Sequence, residues 1–208
     1  MTAVFTFDEA SHTYALDGVR LPSVTQLLKG AGIGPDFSAV PPQLLEAARA
    51  FGVAVHSACE LDDLGELDDD GTDARVMACV HAWRRFKVEN DVEVLATEQR
   101  LYHPTLRYAG TLDGLVRMRA WREHGTDIVL VDRKTGLQPH PSFGVQLAAY
   151  EELLHVNDAD LGPGSPIRRA SVHLFDDGTY RLHRFTNHSD SACFMACLAL
   201  HSWKEATK

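Results

Sequence analysis

At 208 residues, 45% hydrophobic and 24% charged, the chain has the composition of an ordinary globular protein and is long enough to bury a core within one domain. No apolar run approaches the ~20 residues of a membrane span, and the N-terminus lacks the basic and apolar regions of a signal peptide. The expectation is a cytoplasmic protein with its four cysteines reduced. A net charge of −9 argues at first against a polyanionic partner, but eight acids fall in one stretch, Glu60 to Asp73, that holds no Lys or Arg. Without them 21 acids face 20 bases, so the remainder is near neutral and carries basic groups at Arg84-Arg85-Phe86-Lys87, Arg117/Arg119/Arg122 and Arg168-Arg169.

In chain order, alternating apolar residues from Phe5 to Leu16 and the turn signal Asp17-Gly18 predict a hairpin-like lead-in. Pro22-Ser23 starts a short helix that Gly30 stops, and residues 1–40 form a lead-in packed on a core unit of 41–208. Leu44, Ala47, Ala48, Phe51, Val55 and Ala58 give the helix Gln43 to Leu64 an apolar stripe, with Gly52, His56 and Glu60 on a neighbouring face. Gly inside a helix costs ~1 kcal/mol against Ala, which suggests a close backbone approach at Gly52. An acidic, solvated loop follows, then a helix from Asp73 to Glu89 with Arg84, Arg85 and Lys87 outward. Val92 to Tyr102 and Arg107 to Met118 read as an antiparallel pair, Asp127 to Arg133 as a third strand, and Ser142 to His155 as a helix. After a loop at Leu161 to Gly164, Ile167 to Phe175 and Tyr180 to Phe185 form a hairpin over Asp177-Gly178, and a last helix runs from Asp190 to Lys204. The fold class is α/β: a mixed sheet flanked by helices.

The chemistry centres on Ile128-Val129-Leu130-Val131-Asp132-Arg133-Lys134-Thr135-Gly136. Four branched apolar residues make a buried strand, and alternation puts Asp132 and Lys134 on one face with Arg133 on the other. A buried acid and base are costly without partners. Asp113 sits mid-strand between Gly110 and Gly114, poor strand-building that leaves room for a ligand. If the two strands are neighbours, Asp113 and Asp132 converge, and a divalent cation relieves their repulsion; carboxylate oxygens suit Mg²⁺ or Mn²⁺. His56 adds an imidazole ligand. Glu60 could hold a water or orient Lys134. Lys134 could either stabilise phosphoryl charge or, with a lowered pKa, help deprotonate water. Glu98 lies on the first central strand with a site-facing and a surface place equally open. Singly, each of these residues has an ordinary structural reading, as do Tyr108 and His140, which could touch substrate; their order along the chain carries the argument.

Gly52-x-x-x-His56-x-x-x-Glu60, Gly110-Thr-Leu-Asp113-Gly, Asp132-x-Lys134-Thr-Gly and Gln146-x-x-x-Tyr150 together resemble the PD-(D/E)XK nuclease superfamily, most closely its RecB-type exonuclease branch with phage-encoded members. His12-Thr13-Tyr14 and Leu21-Pro22-Ser23-Val24-Thr25 are similar to the lead-in of phage-type members. The resemblance implies a restriction-endonuclease-like core, metal ligation by His56, Asp113, Asp132 and the Arg133 backbone carbonyl, and catalysis by Lys134. It implies that Gln146 and Tyr150 support the site and contact DNA. Here the first acid follows Leu112 rather than proline. Cys59 and Cys79 precede the core and Cys193 and Cys197 follow it, unlike the one-plus-three spacing of an iron–sulfur subgroup, so no such cluster is expected.

The activity implied is Mg²⁺- or Mn²⁺-dependent DNA hydrolysis, as an exonuclease on single strands or ends in recombination, repair or phage DNA processing. Recombination or replication proteins would be its partners, and an oligomer could enclose the DNA. Rival readings are a structure-specific endonuclease and an idle DNA-binding or assembly subunit on the same scaffold.

Overall fold

The computed structural model describes residues 3–121, 127–136, 138–158, 161 and 166–207. The first strands are β1 (Phe5–Asp8), β2 (Thr13–Leu16) and β3 (Val19–Leu21), an antiparallel meander. The lead-in thus has one strand more than expected. Asp17 and Gly18, at φ 52° and 76°, make the turn from β2 into β3, because that turn needs left-handed backbone. Helix α1 (Val24–Gly30) follows, with Ser23 and Gln26 forming a reciprocal capping box. The lead-in is tied to the core where the Ala109 N–H donates to the Pro22 carbonyl and the Tyr14 hydroxyl meets Thr111 Oγ1 at 2.7 Å.

Helices α2 (Pro42–Leu64) and α3 (Ala74–Glu89) come next. Then come strands β4 (Val92–Tyr102), β5 (Ala109–Met118) and β6 (Ile128–Lys134), helix α4 (Pro141–Asn157), strands β7 (Arg168–Leu174) and β8 (Tyr180–Phe185), and helix α5 (Ser189–Ala206). Strands β4 to β8 form one sheet in sequence order, antiparallel except for the parallel pair β6–β7. A parallel pair needs a crossover, and α4 supplies it. Pro141 fits the first turn of α4, whose N–H groups lack helical partners, and His140 Nδ1 caps it by accepting from the Ser142 N–H. The loop expected at Leu161 to Gly164 lies, apart from Leu161, outside the described residues, as does Arg122.

Alternation along β6 feeds two cores. Leu130 packs with α1, α4 and α5 on one face, including Leu147, Leu153 and Phe194. Val129 and Val131 pack with α2 and α3 on the other, including Val80, Trp83 and Phe86. Each such fully buried side chain contributes ~1.5–3 kcal/mol relative to exposure. Asp132 and Lys134 therefore face α4, and Arg133 faces α3.

One expectation fails here. The apolar stripe of α2 is not covered along its length: Leu44 is 62% exposed, and burial begins at Val55. At 1.5 Å per residue, the 16 residues of α3 rise ~24 Å against ~35 Å for the 23 of α2, so the partner helix runs out. The acidic loop after Leu64 is largely exposed, as expected, but the two acids that end the helix before it are not. Asp62 and Asp63 lie in the last turns of α2 with side chains 7% and 1% exposed, and they receive Arg84, Lys87 and Arg133. Two of the three bases expected outward on α3 are spent on this pairing, and the third, Arg85, pairs with Glu89.

Candidate metal centre

The β5–β6 ladder ends at Gly114↔Val131, and the strands part there. The Arg133 peptide groups that further pairing would have used are taken by side chains. Arg133 N–H donates to Asp113 Oδ2 at 2.7 Å, and the Arg133 carbonyl meets His56 Nε2 from α2 at 2.8 Å. Gly52, one turn before His56, touches Thr135 Oγ1 at an ordinary 3.6 Å from where a Cβ would stand, so no unusually close approach explains it. Close approach occurs instead at Gly110, where a Cβ would meet the Tyr150 ring at 2.5 Å.

Opposite Asp113 on β4 stands Glu98, held between the pairs Thr97↔Gly114 and Gln99↔Leu112. Its φ of 44° and a register shift between Val94 and Ala96 break simple alternation along the strand. His56 Nδ1 lies 3.5 Å from Asp113 Oδ2 and 3.8 Å from Glu98 Oε1. One donor atom from each of His56, Glu98 and Asp113 falls within 4.8 Å of the others, a spacing a single cation can bridge. Among the described residues this three-donor group does not include Asp132, the ligand expected from the sequence. Glu98 holds that place.

Asp132 is turned toward α4. Its Oδ1 accepts from Lys134 Nζ at 2.8 Å and, at 3.5 Å, from Gln146 Nε2. Gln146 also donates to the Tyr150 hydroxyl at 3.2 Å. Asp132 Oδ2 is buried without a hydrogen-bond partner among the described residues. Burial raises the Asp132 pKa to about 6, with Lys134 only partly offsetting it. Burial acts in the same direction on Asp113, but His56, Lys134 and Arg133 outweigh it and hold that carboxyl below its ordinary value. Burial would lower the Lys134 pKa, yet Asp132 and Asp113 raise it above the ordinary range. A charged ammonium is favoured over a lowered-pKa base. For His56, burial opposes protonation and the Asp113 and Glu98 carboxylates overcome it, so its pKa is raised.

The Arg133 guanidinium is fully enclosed, 0% exposed. Nη1 donates to Asp63 Oδ2 at 3.0 Å; Nη2 donates to Glu98 Oε1 at 3.0 Å and to the Asp113 carbonyl at 2.7 Å. It also stacks 5.3 Å from the Trp83 ring. Asp63 in turn accepts from Lys87 and Trp83 Nε1. The off-face residue is thus a fixed positive charge behind the donor group, one that holds Glu98 by its carboxylate.

Other expected residues fall elsewhere. Glu60 is half-buried, and burial followed by Glu98 raises its pKa; the Lys134 ammonium bonds to Asp132 rather than to Glu60. Tyr108 is enclosed against Phe194, and its hydroxyl donates to the Ala149 carbonyl, so it props α4 and does not face a ligand. His140 caps α4. Cys59 and Cys79 lie in the α2–α3 core, where burial pushes their thiols up to about 12 and about 11, and Cys197 lies in the core of the other face. Sequence reasoning missed Ser171 and His173, which stand beside Asp132 and Lys134 in the parallel register. His173 Nδ1 lies 2.6 Å from the Gly136 carbonyl, which can only accept, Nε2 lies 3.0 Å from Ser171 Oγ, and burial lowers the pKa of the ring. Nδ1–H therefore donates to Gly136, anchoring the turn after Lys134. Nothing in the sequence says which strand adjoins β6, so no signal could have found them.

A scan against protein-family models finds no match, and no curated protein matches the chain. No helix among the described residues is long and apolar enough to cross a membrane.

Proposed function

We propose that the chain is a Mg²⁺- or Mn²⁺-dependent DNA phosphodiester hydrolase of PD-(D/E)XK type, acting as an exonuclease on single strands or DNA ends. The observation that carries this reading is the meeting of His56, Glu98 and Asp113 beside the Asp132–Lys134 pair where β5 and β6 part. The donor set fits a divalent cation: an imidazole nitrogen and two carboxylate oxygens converge within its reach, and on the neighbouring residue the buried Asp132 Oδ2 has no partner among the described residues. His56, Glu98 and Asp113 would hold the ion. When bound, it supplies Lewis-acid polarisation and a more acidic water.

The chain's own residues do the remaining work. The Lys134 ammonium, kept charged by Asp132, neutralises charge that builds on the phosphoryl oxygens. Asp132, with a pKa of about 6, is largely ionised at neutral pH and offers Oδ2 as the acceptor for the proton of the attacking water. Gln146 orients Asp132, and Tyr150 orients Gln146. The test is digestion of 5′- and 3′-labelled single and double strands, and of circular single strands, with Mg²⁺ or Mn²⁺. Loss of label from linear ends only is the expected result. Cutting of circles would make the chain an endonuclease, and no cleavage of any substrate would sink the hydrolase reading.

A further inference from the structure

A groove of about 560 Å³ runs between α1, the segment 32–37 and the first two turns of α4. Its walls are largely apolar, Leu28, Ile33, Phe37 and Phe143, with Lys29 and Asp36 at the rim. The Asp36 carboxylate is engaged by the Ser38 N–H at 2.8 Å. Phe37 is 50% exposed, which is unusual for so large an apolar ring. The groove adjoins the Asp132–Lys134 pair through two of its own wall residues. Gln146 reaches Asp132 Oδ1, and the Phe143 ring lies 5.0 Å from Lys134 Nζ. It also lies on the α1–α4 face of the sheet, toward which Asp132 and Lys134 point.

From this we infer that the groove takes the unpaired bases next to the scissile phosphate, with a base stacked on Phe37 and Phe143. This rests on the hydrolase reading and specifies its substrate as a single-stranded end. The exposed Phe37 ring, with the half-buried Phe143 ring in the same wall, offers a surface for flat rings whatever their hydrogen-bonding edges, while a base inside a duplex already has both faces stacked. A second cavity, of about 360 Å³ on the far side of Thr135 and Gly136, is less suited. Its cation, Arg75, is committed to Asp176 at 2.8 Å.

The test is binding of oligodeoxynucleotides carrying 2-aminopurine near one end, without divalent metal, to the wild-type chain, Phe37→Ala and Phe37→Trp. Stacking of the base in the groove quenches the probe in the wild type. Phe37→Ala weakens single-strand binding about 5- to 150-fold, the loss of one stacked base. Phe37→Trp retains affinity, and blunt duplex binding changes little. Equal single-strand affinity for Phe37→Ala, equal losses on duplex and single strand, or no quenching by a folded wild-type chain would each overturn the inference. Hydrolysis is followed separately with Mg²⁺ or Mn²⁺. Phe37-dependent binding without cleavage removes the hydrolase reading and keeps the groove; cleavage with a KM for single strands unchanged in Phe37→Ala does the reverse.

Discussion

The two ends of the β5–β6 pair carry the same kinds of charge and have opposite fates. At one end Arg117 and Arg119 meet Glu93, Asp91 and Asp127, with side chains 25% to 66% exposed. At the other, Arg133, Asp132 and Asp113 are 0%, 2% and 11% exposed, and Glu98, Lys134 and His56 beside them keep 19% to 28%. Exposed ion pairs are worth ~0–1 kcal/mol because water competes for both partners. Enclosed charges lose that solvation, so each must be matched, and a carboxylate oxygen left unmatched marks a place for something else. Burial, and not the count of charges, separates a solvated cluster from a candidate site.

The comparison breaks first at catalysis. Asp113→Ala, Asp132→Ala and Lys134→Ala should each lower end-labelled DNA digestion on the order of 10²- to 10⁴-fold, while Arg119→Ala leaves it unchanged. Retained cleavage in the three site variants would remove the distinction.

Stability comes next. Arg133→Met takes the guanidinium from Asp63 Oδ2 and from Glu98 and should cost about 3–5 kcal/mol in urea unfolding, against less than ~1 kcal/mol for Arg119→Met. Equal costs would mean that the buried end is as wet as the exposed one.

The pH response sharpens the same contrast. Asp132 binds its proton more tightly folded than unfolded, so its stabilising contribution is present below the ordinary carboxylate value and is lost as pH rises through about 6. From 3.8 to about 6 that is about 3 kcal/mol lost by neutral pH in metal-free protein. His56, also raised, acts in the same sense at higher pH, whereas the lowered His103 and His173 act oppositely. The measurement is therefore the difference in thermal stability between wild type and Asp132→Asn in EDTA, from pH 5 to 8. The wild type should lose ground to the variant as pH rises. A flat difference would place Asp132 in contact with water.

The smallest effect concerns orientation. Gln146→Ala should cost ~10- to 100-fold in cleavage with fold and melting temperature little changed. A loss as large as that of Lys134→Ala would move Gln146 into the chemistry itself.

Much of this was legible in residues whose environment is local. The branched run at Ile128 to Val131 announces its strand, and capping pairs such as Ser23 and Gln26 announce a helix start. Asp113, Asp132 and Lys134 were legible as a set because alternation and adjacency bring them together. Glu98 was not, since a register shift and a left-handed backbone decide where it points, and neither leaves a trace in Val92 to Tyr102. The covered length of α2 depends on how far α3 extends alongside it. Tyr108 kept a structural and a substrate-facing reading side by side because its partner is a backbone carbonyl, which every residue carries.

Gly110 has no charge and takes no part in any proton transfer, yet it sets a tolerance for the whole arrangement. The Tyr150 ring occupies the space where its Cβ would stand, so one added methyl group must shift α4 outward or tilt that ring. Tyr150 holds Gln146, and Gln146 touches Asp132, so the shift arrives at the carboxylate through two side chains. Gly110→Ala is in that sense a focus adjustment, which should detune the alignment of Asp132 and Lys134 without altering either.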